Sequence, residues 1–250
     1  METHRNFLKN SQIIILGLCL AAATVASSLI FSKALLQMKK FSGEVINVTG
    51  AAEKTIKSDY IVWTSRFIVR DPQMTAAYQK LKENLLTVKE YLRSKGVREE
   101  EIIIDSVETE ILYQKNEKGA DTHKIEAYRL SQRLEVRSAN VDHTTAVSRE
   151  ATELINQGIE FISDFPGYYY TRLAELKLQM LAEATENAKK RAEQMAAATG
   201  NKVGVMRSAR MGVFQITPVN SAEVSDWGVN DTQSLDKKVM AVVKIDFAIL

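Results

Sequence analysis

The most pronounced pattern along the chain is an apolar run near its start. No charged residue occurs between Asn10 and Ser32, and the run 13–31 is apolar apart from one glycine and three hydroxyl residues. A helix of this length spans about 28 Å, which matches the hydrocarbon core of a bilayer. The pattern predicts a transmembrane helix within an anchor-and-linker segment, residues 1–40. The residues assigned to the anchor are Ile13, Leu16, Leu20, Val25, Leu29 and Phe31.

Two other export signals share part of this pattern. A cleavable signal peptide also has a basic start, but its apolar run is usually about 7–15 residues long, and here the run continues to Phe31. Thr24 and Ala26 do have the spacing of small residues at a cleavage site. A lipoprotein signal would use Cys19, yet the residue before it is leucine, where a small one is needed. We expect an uncleaved anchor, with cleavage as the alternative.

The charges that flank the apolar run are nearly balanced. Arg5 and Lys9 precede it, and Lys33, Lys39 and Lys40 follow it. Positive residues favour the cytoplasmic side, so the flanking charges do not fix the orientation. A short N-terminal tail ordinarily stays in the cytoplasm. We therefore expect a single-pass protein of the inner membrane, with its body in the periplasm or at the cell exterior.

Beyond the anchor, the chain alternates between strand-like and helix-like patterns. The clearest strand signal is at 60–70, where Ile61 and Trp63 fall on the apolar face and charged or hydroxyl side chains on the other. Asp71-Pro72 is typical of a helix start and Gly96 of a helix end. The elements predicted in this half are a strand at 45–49 ended by Gly50, a strand at 60–70, a helix at 71–96, and strands at 103–111 and 128–136.

The second half contains the longest predicted helix and the longest predicted loop. Its predicted elements are a helix at 142–157, a strand at 159–165, a helix at 171–199, and strands at 203–216 and 238–250. The polar segment 217–237 is long for a connection within a compact domain, so we expect it to be either functional or mobile.

The character of the strands indicates the fold class. Most are amphipathic rather than uniformly apolar, which favours largely antiparallel sheets with helices packed on one face. We predict an α+β body over residues 41–250, preceded by the N-terminal transmembrane helix. The body is either one domain or two closely joined lobes that divide near residue 140.

Charge and motif content narrow the possible functions. Residues 41–250 hold 28 of the 33 basic and 30 of the 31 acidic residues, so the body is slightly acidic, and we expect no nucleic-acid partner. No histidine has a ligand-spaced partner, no serine lies in a nucleophile elbow, and the glycines occur singly at turns. We expect no enzyme activity and no cofactor, and assign no catalytic, cofactor-binding or metal-binding residue.

An arginine row lies on the polar side of the strand at 128–136. It consists of Arg129, Arg133 and Arg137, and Glu135 interrupts it. Such a row can line a groove for an anionic polymer, but outward arginines are also the ordinary polar face of an amphipathic strand. We interpret it as the ordinary polar face.

Aromatic residues in turn-like sequence are the candidates for an interface. Tyr168, Tyr169 and Tyr170 follow a Pro-Gly pair, and Trp227 is the one aromatic residue of the polar segment. These residues either pack internally or form an interface, where tyrosine and tryptophan are favoured because they bury a large area and keep a polar group. We take these four residues as the candidate interface.

Several short strings occur in a fixed order along the body. They are INVTG at 46–50 with Asp59 nearby, LRSKGV at 92–97 before IIIDS at 102–106, the strand at 128–136, and the Ala-rich helix at 182–193 running into AAATG at 196–200. In this order the chain resembles the SIMPL-domain family of exported bacterial envelope proteins, which includes a periplasmic immunogenic protein and proteins linked to oxidative-stress defence. One position departs, since family members often carry glycine where this chain has Ala52.

The resemblance implies an envelope location, large homo-oligomers and no established enzyme activity. We therefore predict a membrane-anchored, envelope-exposed structural or interaction protein that forms a homo-oligomer, with a link to envelope or oxidative stress. The alternative is an extracytoplasmic binding module for a cell-wall or small-molecule ligand.

Overall fold

The computed structural model describes the backbone of residues 2–41 and 44–250 and the side chains of residues 15–36 and 44–250. Four α-helices and nine strands lie within these residues. In chain order they are α1 (Glu2–Phe41), β1 (Val45–Lys57), β2 (Tyr60–Asp71), α2 (Met74–Ser94), β3 (Ile102–Lys115), β4 (Asp121–Ser138), α3 (Val141–Glu150), β5 (Glu160–Ser163), β6 (Gly167–Tyr169), α4 (Leu173–Ala198), β7 (Val203–Met211), β8 (Gln215–Pro218) and β9 (Asp236–Ile249).

Helix α1 contains the predicted anchor. Its stretch Ile15–Leu36 is long and apolar enough to cross a membrane, and none of it is buried against the rest of the protein. The side chain of Ile13 lies outside the described residues, whereas the other anchor side chains are 58–67% exposed. These are Leu16, Leu20, Val25, Leu29 and Phe31.

The strands form two sheets. One has the order β1–β9–β7 with β8 beside β9, and the other has the order β3–β4–β2–β5 with β6 beside β2. The pairs β2–β4, β2–β5, β2–β6, β3–β4 and β8–β9 are all antiparallel. This confirms the predicted α+β class with antiparallel sheets.

The five-stranded sheet has its core on one face, as the alternation in β2 predicts. Ile61, Trp63, Ser65 and Phe67 are fully buried on that face. Side chains of α2 and α3 pack against the same face, so one apolar cluster joins strands and helices. The cluster includes Trp63, Phe67, Leu81, Val88, Leu92, Leu130, Leu134, Val136, Val147 and Phe161.

The chain divides into two compact units, but not near residue 140. One unit comprises Met1–Thr49, Ala188–Arg210 and Lys244–Leu250, and the other comprises Gly50–Asn187 and Met211–Val243. The predicted division near residue 140 is wrong because β4 and α3, on either side of it, contribute to the same apolar cluster.

Strand β1 is longer than predicted. It does not end at Gly50 but continues to Lys57 as a neighbour of β9. The backbone N–H of Ala51 donates to the side-chain oxygen of Asn187 at 3.2 Å. Pairing with β9 outweighs the tendency of glycine to weaken a strand.

Helix α2 begins two residues after Pro72, which the pattern predicts as the first helical residue after the N-cap Asp71. Its first residue is Met74, and Asp71 is not the N-cap. The Asp71 carboxylate instead accepts the backbone N–H of Gln73 at 2.9 Å and pairs with Lys80 at 2.8 Å. Asp71 therefore forms a turn before the helix. The predicted end is confirmed, since Gly96 has a φ of 84°, in the left-handed region that favours glycine.

Two segments predicted as single elements are divided. The helix predicted at 142–157 is α3 followed by a 3₁₀ helix, Ala151–Gln157. The strand predicted at 203–216 is β7 and β8, separated at 212–214. At that break the N–H of Gly212 still donates to the carbonyl of Val242 at 2.9 Å, so the chain stays beside β9 while it changes direction.

Candidate interaction site

The two segments predicted as a candidate interface meet in the larger unit. The backbone N–H of Tyr168 donates to the carbonyl of Thr232 at 2.7 Å, and the ammonium of Lys237 donates to the carbonyl of Tyr168 at 2.9 Å. These bonds join the tyrosine corner, residues 168–170, to the loop 217–237. Nothing in the sequence alone indicated that the two segments were neighbours.

Lys237 is the buried link between them. Only 3% of the residue is exposed, and its ammonium also donates to the carbonyl of Asp231. Burial lowers the pKa of Lys237, and the charge of Asp231 opposes this shift. The two carbonyl acceptors compensate for part of the cost of burying the ammonium. The lysine thereby fixes the end of the loop to the corner.

Gln215 fixes the middle of the loop. Its side-chain nitrogen donates to the carbonyl of Ser225 at 2.6 Å, and its side-chain oxygen accepts the N–H of Val229 at 2.9 Å. Two backbone bonds reinforce this contact: Ile216 N–H to Val229 O at 2.8 Å and Asp231 N–H to Ile216 O at 2.9 Å. The buried amide of Gln215 and these backbone bonds thus hold the middle of the loop against β8.

Asp231 shapes the end of the loop that leads to β9. Its carboxylate accepts the backbone N–H groups of Gln233 at 2.8 Å and Ser234 at 3.2 Å. Burial raises the pKa of Asp231, but the bonds from Ser234 and Gln233 and the charge of Lys237 outweigh it, so the pKa lies below its usual value. The carboxylate is thus held in its charged form.

The ordered loop presents Trp227 to solvent. The side chain is 94% exposed, and Val224 and Val213 nearby are 65% and 43% exposed. Gly228 follows with a φ of 85°, and a Cβ there would lie 2.8 Å from the carbonyl of Phe214, so the turn requires glycine. We name the three exposed residues Val213, Val224 and Trp227 the loop patch.

The tyrosine corner is partly internal. The hydroxyl of Tyr168 lies 3.2 Å from that of Thr145, and Tyr168 and Tyr170 are half-buried. Tyr169 is 44% exposed, and its ring lies against Gly167. Of the three tyrosines, Tyr169 therefore offers the most surface to a partner.

A cleft of about 500 Å³ adjoins Tyr168, which alone among the cleft's lining residues is one of the predicted site residues. Hydroxyl residues form part of its lining, and Phe165 on its wall is 96% exposed. Arg149 and Asp164 also line it, and neither side chain has a polar partner among the described residues. The sequence feature that could have indicated this cleft is Phe165, an aromatic residue directly before Pro166-Gly167.

Other chemistry-bearing residues are dispersed. Among the side chains that the structure describes, no group of three or more His, Cys, Asp or Glu is placed to hold a metal ion. In the arginine row, Arg129 pairs with Glu110 at 2.7 Å and Arg137 pairs with Glu135. Arg133 is exposed.

A protein-family model matches most of the chain. The family is described as SIMPL, a protein of unknown function (DUF541), and the match covers residues 46–247, from β1 into β9. No curated protein matches the chain.

Proposed function

The chain belongs to the SIMPL family, and we propose that it acts by binding other molecules in the cell envelope rather than by catalysis. In this proposal it is a structural or interaction protein, anchored in the inner membrane by α1, with its body in the periplasm or outside the cell. It assembles into a homo-oligomer and serves the response to envelope or oxidative stress.

The observation that carries the proposal is the loop patch. The indole of Trp227 is 94% exposed, so it contributes little to the stability of the folded chain and is available to a partner. Tryptophan is enriched among the residues that dominate interface energies. Because Gln215 and Lys237 already order the loop, binding through Trp227 would cost little further conformational entropy.

Membrane anchoring is tested by a charge within the apolar run of α1. Leu20→Arg is expected to raise the free energy of insertion by about 2.5–3.5 kcal/mol. We expect it to remove most of the protein from the salt-washed membrane fraction, measured by sedimentation and immunoblotting. Leu20→Phe is the control, because it keeps the position apolar. Full retention of Leu20→Arg in the membrane, or a mature chain that starts near Ser27, would contradict an uncleaved anchor.

Self-assembly is tested by the mass of the full chain in maltoside micelles, measured by light scattering. We expect Trp227→Ala to lower the oligomer mass without unfolding the protein. We expect Tyr169→Ser to have the same effect, but a smaller one. Phe165→Ala is the matched control, since Phe165 is equally exposed but lies outside the loop and the corner. A monomeric parent, or equal loss of mass in all three variants, would contradict assembly through the loop patch.

The cleft beside Tyr168 favours the alternative, a binding module for a cell-wall or small-molecule ligand. Its volume of about 500 Å³ is in the range of small-molecule sites. Its free charges, Arg149 and Asp164, and the exposed ring of Phe165 would give a ligand polar and apolar contacts. Ligand binding in the cleft and self-assembly can be distinguished by experiment. Arg149→Ala would weaken ligand binding and leave the oligomer mass unchanged.

A further inference from the structure

The polar face of the five-stranded sheet carries five arginines on its two central strands. β2 contributes Arg66 and Arg70, and β4 contributes Arg129, Arg133 and Arg137. The antiparallel register places Arg66 directly opposite Arg133 and Arg70 directly opposite Arg129. Directly opposed residues have Cβ atoms about 4.5–5.5 Å apart, so two like charges there destabilise the sheet.

One of these opposed pairs is neutralised by carboxylates from the neighbouring strands. Arg70 pairs with Glu160 of β5 at 3.0 Å, and Arg129 pairs with Glu110 of β3 at 2.7 Å. Each flanking strand thus supplies one negative charge for the pair.

The other pair, Arg66 and Arg133, makes no such ion pairs. Among the described side chains, no carboxylate lies within ion-pair distance of either guanidinium. The flanking strands explain this difference. β5 places Ile162 opposite Arg66, and the β3–β4 register shifts between Ile104 and Val107, beside Arg133.

Arg66 also holds an unused donor. Its Nε is shielded from solvent and lacks a hydrogen-bond partner among the described residues. The Nε of Arg129 is likewise unbonded, but that guanidinium is paired with Glu110 through Nη1. Burying an unpaired donor of a charged group is costly. The Arg66–Arg133 pair therefore combines two arginines that make no ion pair with one unsatisfied donor, the Nε of Arg66.

We propose that Arg66 and Arg133 bind a phosphate-type oxyanion on the polar face of the sheet. Guanidinium groups offer forked N–H donors that match phosphate oxygens two at a time. A phosphate monoester carries about −1.5 to −2 charges near pH 7, which balances two arginines, whereas one carboxylate balances only one. Inorganic phosphate and the headgroup of a phosphomonoester lipid share this chemistry.

The test uses the full chain in phosphate-free maltoside micelles and follows its thermal unfolding midpoint. Inorganic phosphate is titrated against sodium chloride at equal ionic strength. We expect the midpoint of the parent protein to rise with phosphate, because a ligand that binds the folded state stabilises it. Arg133→Gln is expected to need at least about tenfold more phosphate for the same rise, and Arg66→Gln is expected to behave in the same way.

A second expectation separates anion binding from a structural role. Without phosphate, Arg133→Gln should unfold at the same temperature as the parent or higher, because the like-charge repulsion is relieved. Arg129→Gln is the matched control, since it removes one positive charge from the same strand and the same face. It should keep the phosphate response.

Two outcomes would overturn the proposal. Phosphate stabilises many proteins without a specific site, so an equal response in the parent, Arg133→Gln and Arg129→Gln would mean that no site exists. A midpoint of Arg133→Gln in chloride well below that of the parent would mean that Arg133 serves the fold.

A second arm adds phosphatidic acid to the micelles. If phosphatidic acid stabilises the parent at a far lower concentration than inorganic phosphate does, and Arg133→Gln loses this effect, the site binds a lipid headgroup. A response to inorganic phosphate alone assigns it to a soluble phosphate.

Discussion

Trp63→Ala is expected to lower the free energy of unfolding by about 3–5 kcal/mol, whereas Trp227→Ala should leave it within about 0.5 kcal/mol. The two variants compare the same substitution at a buried and at an exposed position, since Trp63 is 0% exposed and Trp227 is 94% exposed. Removal of the Trp63 ring leaves a cavity beside Phe161, whose ring centroid lies 6.5 Å away. It also removes the 3.0 Å bond from the indole N–H to the hydroxyl of Ser163.

The measurement is urea unfolding of the full chain in maltoside micelles, followed by far-ultraviolet circular dichroism. Protein concentrations are kept low, because assembly adds apparent stability by mass action. Comparable losses in both variants, or a loss below about 1 kcal/mol for Trp63→Ala, would mean that β2 does not bury this ring in the core.

The sequence predicts β2 better than the element before it, for a physical reason. In β2 the alternation of polarity follows the alternation of burial at most positions, since the buried Ile61, Trp63 and Phe67 alternate with the half-buried Thr64 and Arg66. Ser65 and Ile68, which are both buried, are exceptions. In β1, by contrast, Gly50 marks a strand end by local propensity, yet the strand continues beside β9. That pairing depends on residues far along the chain, which local patterns do not report.

The candidate site was predictable in its parts but not in its arrangement. Tyr169 and Trp227 could be identified as aromatic residues in turn-like sequence, and both are exposed. The residues that order the loop are Gln215 and Lys237, whose polar side chains indicate solvent exposure, yet they are 7% and 3% exposed. Their burial follows from long-range contacts, in which backbone carbonyls accept their hydrogen bonds.

The ion pairs of the opposed arginines also depend on contacts between strands, which the local sequence does not report. The sequence places Arg129, Arg133 and Arg137 on one face of β4, and the structure confirms that spacing. Which of them lacks a carboxylate depends on the register of β2 and β3, because the partners come from other strands. An irregularity in β3 next to Arg133 has no signature in the sequence of β4.

Phe247→Ala is expected to lower the free energy of unfolding by about 3–5 kcal/mol, and Lys244→Ala to change it by less than about 0.5 kcal/mol. Phe247 is 5% exposed and Ile245 1% exposed, whereas Lys244 is exposed, as the alternation in β9 predicts. Burial of the ring makes its removal costly because a cavity remains and apolar contacts are lost.

Lys244 is a better control than Asp246, although both lie on the polar face of β9. Asp246 is half-buried and accepts hydrogen bonds from Asn47 at 2.5 Å and from Ser208. These bonds lower the pKa of Asp246, so its charged form stabilises the fold above the pKa of the unfolded chain and this contribution is lost in acid. Asp246→Ala would therefore be destabilising for reasons unrelated to the core. Equal sensitivity at positions 244 and 247, measured by the same urea unfolding, would mean that β9 has the opposite register.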